Sequence, residues 1–447
     1  MNIRTLILCL ALASPIGLPG MAGHAQAMLL QSPEQVAQVV PESPAYAKFR
    51  AGIAALLKSD LKAAESAFHS AADIDPRLAA PLLGLADVAM KRGRPAEAEK
   101  WLAAAAKAQP DSDAVSLAWG RYYRAQNDNS RAEQAFRQAI ATRPSASAYL
   151  ELGDLYLANK DRRREALASY EKALALAPDS ASVRFSYASG LAANGQVERA
   201  LQEFEQVARL SPKDPEPWRA IGRLHAEQHR FDAAAVALEH ALKLQPKSVP
   251  LLVDRGDVAA AQGKMGDAIP YYQEAAKLAP GASPLLAKLG LAYQLSRRWD
   301  KAEAAYLLAI KRDPDAADAY NNLAWLALQR GKRLDDALKW ASKATQLKPG
   351  DASYLDTLGW VQQKRGDLDK AANTLRKAAN LQPPLADVHY HLGIVYAEQG
   401  KKTDAVAALQ RALQINPAFP LAEDARARLK GLGGGSPAPV TPESSGQ

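Results

Sequence analysis

The sequence of 447 residues contains a single cysteine, Cys9. The rest of the chain therefore has no disulfide bond, no thiol nucleophile and no cysteine ligand for a metal. Long apolar runs are just as scarce. The run from Leu6 to Ala13 is too short to span a bilayer, and no other run approaches the length of a membrane helix.

That apolar run belongs to a segment with the features of a secretory signal. Arg4 supplies the positive charge before the run, and Ala25-Gln26-Ala27 is a small-x-small cleavage site, so we expect a mature chain that begins at Met28. The alternative is that the segment is kept as a membrane anchor. Because Cys9 lies inside the signal, the mature chain would have no cysteine. An export signal without disulfides fits a bacterial periplasm better than a disulfide-stapled secreted domain.

The sequence also lacks the motifs of common catalytic sites. It has no G-x-S-x-G nucleophile elbow and no G-x-x-x-x-G-K-[ST] phosphate loop. His225 and His229 are four residues apart and are expected to share a helix face. Their H-A-E-Q-H spacing places the glutamate differently from the zinc motif H-E-x-x-H, and His225 occupies a packing position. We therefore expect no catalytic residue, no metal and no cofactor.

Charge of one sign is not concentrated in any long segment. The chain has 56 Lys and Arg against 48 Asp and Glu, a formal net charge of +8. The two signs are interleaved, as on solvated helix faces. The densest basic cluster, Arg162-Arg163-Arg164, is typical of an exposed turn. A nucleic-acid-binding protein presents a continuous basic stripe, so no nucleic-acid partner is expected.

What the sequence does contain is a regular period. Eleven prolines recur along the chain, and of the ten intervals between them nine are 34 residues long and one is 35. These prolines are Pro76, Pro110, Pro144, Pro178, Pro212, Pro246, Pro280, Pro314, Pro349, Pro383 and Pro417. Each proline ends a helical segment, since it lacks an N–H group. Such a period indicates a solenoid in which every unit packs on its neighbours.

Two positions are small in all eleven units, which allows two helix backbones to approach closely. The first position holds Gly52, Ala86, Gly120, Gly153, Ala188, Gly222, Gly256, Gly290, Ala324, Gly359 and Gly393. The second holds Ala64, Ala98, Ala132, Ala166, Ala200, Ala234, Ala268, Ala302, Ala337, Ala371 and Ala405. Between the two positions, six of the units have a glycine in the expected turn, where a left-handed residue is favoured.

This pattern resembles the tetratricopeptide repeat (TPR), whose signature combines W-x2-L-G-x2-Y, A-x3-F and P. One unit follows the signature closely with Tyr149, Leu152, Gly153, Tyr156, Ala166, Tyr170 and Pro178. The resemblance extends over residues 45–417. It implies an all-α fold, a right-handed α-solenoid or superhelix of about eleven helix-turn-helix units. It also implies that peptides or protein segments bind along a concave face lined by the first helix of each unit.

The remaining segments complete the predicted organisation of the chain. Residues 1–27 are the signal peptide and residues 28–44 are a flexible leader. Residues 418–432 form a capping helix with one apolar face, and the Gly-, Pro- and Ser-rich residues 433–447 are expected to be disordered.

Candidate binding residues follow from the fifth and ninth positions of the units, together with their neighbours on the first helix. The predicted partner-binding residues are Asn321, Asn322, Trp325, Asp356, Trp360 and Tyr390 in the late units, and Arg121, Arg124, Arg219 and Arg223 in the middle. Trp325 and Trp360 occupy the same position in successive units and are expected to stack along the concave face as aromatic anchors. The alternative is that both tryptophans simply cover the helix of the next unit. The first unit has Phe49 and Ile53 where carboxylate-clamp TPR domains have Lys and Asn, so that function does not carry over.

A second resemblance covers residues 317–432, which are similar to the closing repeats of exported bacterial TPR proteins. Those proteins are associated with exopolysaccharide production and PEP-CTERM surface sorting. The resemblance implies a non-catalytic adaptor in the cell envelope, with one or more envelope proteins or peptide segments as partners. The alternative is direct binding of a glycan or other exported polymer, such as a polysaccharide, on the aromatic and arginine residues of the concave face.

Overall fold

The computed structural model describes residues 43–434, which form 23 α-helices, a single-turn 3-10 helix and no β-strand. The predicted signal at 1–27, and nearly all of the leader and of the tail, lie outside the described residues. Within residues 43–434 no helix is both long enough and apolar enough to cross a membrane.

Twenty-two of the helices form eleven consecutive pairs, each of which is one repeat. The first helix of a pair is called helix A and the second helix B. Repeats 1–6 are α1 Pro44–Leu57 with α2 Leu61–Ile74, α3 Ala79–Lys91 with α4 Pro95–Ala108, α5 Asp113–Ala125 with α6 Asn129–Thr142, α7 Ala146–Leu157 with α8 Arg163–Leu176, α9 Ala181–Ala193 with α10 Val197–Leu210, and α11 Glu216–Glu227 with α12 Phe231–Leu244. Repeats 7–11 are α13 Val249–Ala261 with α14 Met265–Leu278, α15 Ser283–Leu295 with α16 Trp299–Arg312, α17 Ala317–Arg330 with α18 Leu334–Leu347, α19 Ala352–Lys364 with α20 Leu368–Ala379, and α21 Ala386–Glu398 with α22 Lys402–Ile415. The all-α solenoid of eleven helix pairs is confirmed.

The small residues of helix A mark the place where the two helices of a repeat cross. A Cβ atom on Gly120 would lie 2.3 Å from Cε1 of Phe136, and one on Gly290 would lie 2.6 Å from Cδ1 of Tyr306. Carbon atoms in contact are about 3.5–4.0 Å apart, so only glycine leaves room for these rings. The same arrangement joins Gly52 to Phe68, Gly153 to Tyr170, Gly256 to Tyr272, Gly359 to Leu375 and Gly393 to Leu409. All eleven helix B alanines, from Ala64 to Ala405, are fully buried.

The turns between helix A and helix B are of three kinds. In six repeats a glycine with a positive φ occupies the turn, as predicted; these are Gly93, Gly195, Gly263, Gly331, Gly366 and Gly400. Four other turns place a non-glycine residue in the same left-handed region, with φ between 56° and 61°; these are Ser59, Asn127, His229 and Arg297. Repeat 4 instead has the 3-10 helix Lys160–Arg162, which accommodates its longer turn.

The described chain divides between Leu224 and His225 into an N-terminal unit and a C-terminal unit. Within each unit, helix B packs between helix A of its own repeat and helix A of the next repeat, and successive A helices contact one another. The A helices therefore form one surface of each unit, here called the helix A surface. It is the surface on which the sequence placed the binding residues.

The last described helix, α23 Ala422–Gly431, covers the end of repeat 11. Residues 418–421 form a turn, so the helix is shorter than the predicted cap at 418–432. Ala422, Ala425 and Leu429 are buried in one apolar cluster with Tyr390 and Leu413 of repeat 11. The helix thus protects the terminal hydrophobic face of the solenoid from water.

Candidate functional site

The helix A surface of repeats 10 and 11 is organised around His391, a residue that the sequence did not single out. Its ring is 1% exposed and stacks on Trp360 of the preceding repeat, with ring centroids 4.2 Å apart and an angle of 24° between the planes. His391 Nδ1 lies 2.8 and 2.9 Å from the two carboxylate oxygens of Asp356. In the tautomer that has its proton on Nδ1, His391 donates to this carboxylate.

These contacts show that Trp360 and Asp356 pack against the next repeat. The two residues are one helical turn apart on α19, and both contact a side chain of α21. One face of the Trp360 indole therefore covers the next repeat, as in the packing alternative. Within the described part of the chain, His391 supplies the ring that stacks on Trp360. We expected Trp325 to stack on Trp360, but His391 takes this position instead. Trp360 nonetheless remains partly accessible to solvent.

Three other predicted binding residues of the late repeats are buried, namely Trp325, Asn322 and Tyr390. Trp325 and Asn322 are each only 8% exposed. Tyr390 donates a hydrogen bond from its hydroxyl to Asp424 of α23, and burial raises the pKa of Tyr390 to about 12. Tyr390 therefore joins the cap to repeat 11. Asn321 is partly exposed, and within residues 43–434 its Oδ1 atom has no hydrogen-bond partner.

At the carboxyl ends of α19 and α21, Gln363 joins repeat 10 to repeat 11. Its Nε2 atom donates hydrogen bonds of 2.7 and 2.8 Å to the two carboxylate oxygens of Glu398. Gln363 is 9% exposed, and its Oε1 atom has no partner among the described residues. Lys364, the next residue, places its ammonium group 4.8 Å from the centroid of the Trp360 ring. Aromatic, acidic and basic side chains thus meet at one end of the helix A surface.

The amino end of α21 carries a second acidic position. Burial raises the pKa of Asp387, and the nearby charge of Asp356 raises it further, while His391 acts in the opposite direction. The Oδ1 atom of Asp387 has no hydrogen-bond partner within residues 43–434. A buried acceptor that finds no donor costs free energy, so this part of the surface favours a ligand that supplies N–H groups.

The N-terminal unit uses its predicted arginines in a different way. Glu151 of α7 accepts from Arg121 Nε at 2.5 Å and lies 2.5 Å from an Arg124 guanidinium nitrogen, both on α5. One turn further along α7, Asp154 accepts a 2.7 Å hydrogen bond from the Tyr170 hydroxyl, and burial raises the pKa of Asp154 to about 6. Glu151, which was not predicted from the sequence, thus shares its single negative charge between the two arginines.

The remaining two arginines lie on α11, next to the division between the units. A guanidinium nitrogen of Arg219 is 3.7 Å from Glu216 on the same helix, and Arg223 is partly buried one turn later. His225 also lies on α11, but the helix ends at Glu227 and His229 occupies the following turn with φ of 57°. The prediction that His225 and His229 share a helix face is therefore wrong. Within residues 43–434, no group of three or more His, Cys, Asp or Glu side chains is placed to hold a metal ion.

Comparison with known families gives two matching models, both described as tetratricopeptide repeat. One matches residues 117–162, 219–283, 288–352 and 357–420, and the other matches residues 55–118 and 160–224. A TPR repeat-containing protein of Pseudomonas aeruginosa is 36% identical over 66 residues, which are 15% of this chain and 11% of that protein. The match therefore spans about one ninth of that relative's length.

Solved structures with similar folds include yeast Tom70 and a tetratricopeptide repeat protein from Parabacteroides merdae. The Tom70 structure is 14% identical with a TM-score of 0.47, over 87% of this chain and 95% of that chain. The Parabacteroides structure is 16% identical with a TM-score of 0.48, over 55% of this chain and 96% of that chain.

Proposed function

This chain belongs to the tetratricopeptide-repeat family, and we propose that it is a non-catalytic scaffold that holds segments of partner proteins on its helix A surface. The late repeats 9–11 of the C-terminal unit are the proposed site. The observation that carries the proposal is the set of hydrogen-bond acceptors on this surface that lack donors in the described chain. Three of these acceptors are Oδ1 of Asn321, Oε1 of Gln363 and Oδ1 of Asp387.

Unpaired acceptors of this kind fit an extended protein segment. Polar atoms that are buried away from water are nearly always hydrogen-bonded, and the backbone of an extended segment offers one N–H group per residue. Trp360, which is partly exposed, offers apolar contact on the same surface. Aromatic side chains contribute strongly to many protein interfaces.

The place of action that we propose is the bacterial cell envelope, on the periplasmic side. Support comes from the signal-like features of residues 1–27 and from the absence of cysteine after Cys9. The similarity of residues 317–432 to exported repeat proteins points to exopolysaccharide production or surface-protein export as the system served. The partners would then be one or more envelope proteins.

A capture experiment tests the scaffold function. Residues 28–447 are immobilised as wild type, as the Trp325→Ala/Trp360→Ala double variant and as Trp340→Ala, and the proteins that each retains from solubilised envelope are identified by mass spectrometry. Trp340 is a matched control, because it lies in repeat 9 but on helix B, with Arg333 4.9 Å from its ring centroid. We expect wild type and Trp340→Ala to retain the same protein and the double variant to lose it.

Trp325 is buried, so its replacement by alanine removes core packing as well as a possible contact, at a cost of about 3–5 kcal/mol. Trp360→Ala alone is therefore compared in the same experiment, and circular dichroism checks that each variant keeps its helices. Equal retention by all the folded variants would exclude the late repeats as the site. If no protein is retained and an oligosaccharide of the envelope binds saturably, the glycan alternative replaces the scaffold.

A further inference from the structure

One end of the proposed site has the chemistry of a pocket for a positively charged side chain. Trp360, Gln363 and Lys364 lie at positions i, i+3 and i+4 of α19, so they share one face of that helix. Glu398 of α21 is fixed to the same place by its two hydrogen bonds from Gln363. These four residues are called the Trp360–Glu398 subsite.

The acidic group of the subsite is not neutralised within the described chain. Among residues 43–434, no lysine, arginine or histidine forms an ion pair with Glu398, whose carboxylate accepts only from the amide of Gln363. A carboxylate has about four lone-pair positions, so Glu398 retains capacity for further donors. The exposed position of Glu398 leaves that capacity open to a partner.

Gln363 carries a second acceptor that is unsatisfied within the described chain. The Oε1 atom of Gln363 is buried, the residue is only 9% exposed, and no donor in the described chain reaches it. Its amide is oriented by Glu398, which binds Nε2 and thereby holds Oε1 on the opposite side of the carboxamide. Within residues 43–434 the Gln363 carboxamide is therefore satisfied on its nitrogen side only.

The structure already contains a cation at the subsite, which shows that the indole can accept one. The Lys364 ammonium lies 4.8 Å from the ring centroid of Trp360, while His391 stacks on the ring 4.2 Å away. No ion pair joins Lys364 to a carboxylate among the described residues, so the indole is the contact that the structure shows for its charge. A cation over the face of a tryptophan is attracted by the ring quadrupole.

We propose that the Trp360–Glu398 subsite recognises a basic side chain of the bound protein segment, and that arginine fits it best. A guanidinium group is flat and has five N–H donors. It can lie against the exposed part of Trp360 and donate to the free lone pairs of Glu398. Lys364 would then be a competitor that the arginine displaces. This inference rests on the proposed function, since it names the partner chemistry of the same surface.

The test begins with a phage-displayed library of random dodecapeptides selected on residues 28–447. We expect the selected peptides to share one arginine or lysine. A representative peptide is then synthesised with arginine, lysine or uncharged norleucine at that position, and its affinity is measured by fluorescence anisotropy. On wild type, norleucine should weaken binding at least tenfold relative to arginine, and lysine should lie between the two.

Three variants assign the preference to this subsite. Glu398→Gln should reduce the difference between the arginine and norleucine peptides to less than twofold, whereas Lys364→Gln should strengthen binding of the arginine peptide. Asp404→Asn is the matched control, because it removes one exposed carboxylate from helix B of repeat 11 and should leave the difference unchanged.

The outcomes separate this inference from the proposed function. If peptides are selected but share no basic residue, or if Glu398→Gln leaves the arginine preference intact, the subsite is refuted while peptide binding stands. If wild type selects no peptide at all, the proposed function fails and the subsite fails with it.

Discussion

Replacement of Gly120 with alanine tests whether the helix crossing depends on the absence of a side chain. The added methyl carbon would lie 2.3 Å from Cε1 and 2.4 Å from Cδ1 of Phe136. Carbon atoms in contact are about 3.5–4.0 Å apart, so an overlap of roughly 1 Å has to be relieved. Phe136 is completely buried, which leaves its ring no open space into which to move.

The expected net effect is a loss of about 1–2 kcal/mol in the free energy of unfolding. Overpacking of a core costs about 1–3 kcal/mol, while the change from glycine to alanine inside a helix returns up to about 1 kcal/mol. Because the stability of a solenoid is spread over neighbouring repeats, the loss should be strongest near α5 and α6. Hydrogen exchange of the full chain, followed by mass spectrometry, measures this loss of stability separately for each helix.

Two further variants make the result decisive. Gly266 of α14 would place a Cβ atom with nothing within 4 Å, so Gly266→Ala should not destabilise the chain. Phe136→Leu in the Gly120→Ala background should restore part of the loss, since repeat 2 has that combination in Ala86 and Leu102. If Gly120→Ala is as stable as Gly266→Ala, the steric explanation of the close approach between helices A and B is wrong.

Two other predictions concern the N-terminal unit. Burial raises the pKa of Asp154 from 3.8 to about 6, so between these pH values the folded chain holds a proton that the unfolded chain has lost. The free energy of unfolding of the wild type should therefore fall by about 2–3 kcal/mol as the pH rises from 4 to 6. Asp154→Asn should remove this dependence on pH, as measured by urea denaturation. The same pH dependence in both proteins would contradict the raised pKa of Asp154. Glu151→Gln removes the negative charge between Arg121 and Arg124 and should lower the free energy of unfolding by about 1–3 kcal/mol. The melting temperature should fall accordingly, and an unchanged melting temperature would refute this prediction.

The sequence was sufficient to predict the fold because a repeat contacts mainly itself and its neighbours. The recurring prolines located the end of each helix B, and the small residues located the crossing, as at Gly120. The signature A-x3-F also includes Phe136, but only the structure shows how closely its ring approaches Gly120. The turns show the same limit, since Ser59 and Asn127 adopt the left-handed conformation that the sequence analysis assigned only to glycines.

The candidate site could be predicted only in part, for reasons visible in particular residues. Helical spacing placed Asp356 and Trp360 one turn apart. It did not reveal that both contact His391, which lies 35 residues after Asp356 in the sequence. In the same way, Glu151 accepts a hydrogen bond from Arg121 of the preceding repeat, 30 residues earlier in the sequence. A search for complementary side chains about 30 to 35 residues apart, in addition to those that share a helix, would have found both contacts.

The sequence by itself therefore determined the number of repeats, the all-helical fold and the surface formed by helix A, because these depend on local spacing that recurs along the chain. Only the tertiary structure decided which side chains on that surface are already satisfied and which are not. The two arginines of α5 are compensated by Glu151, whereas Glu398 and the Oε1 atom of Gln363 retain unused hydrogen-bonding capacity. That distinction depends on burial and on side-chain orientation across neighbouring repeats, and neither quantity is contained in the period of the sequence.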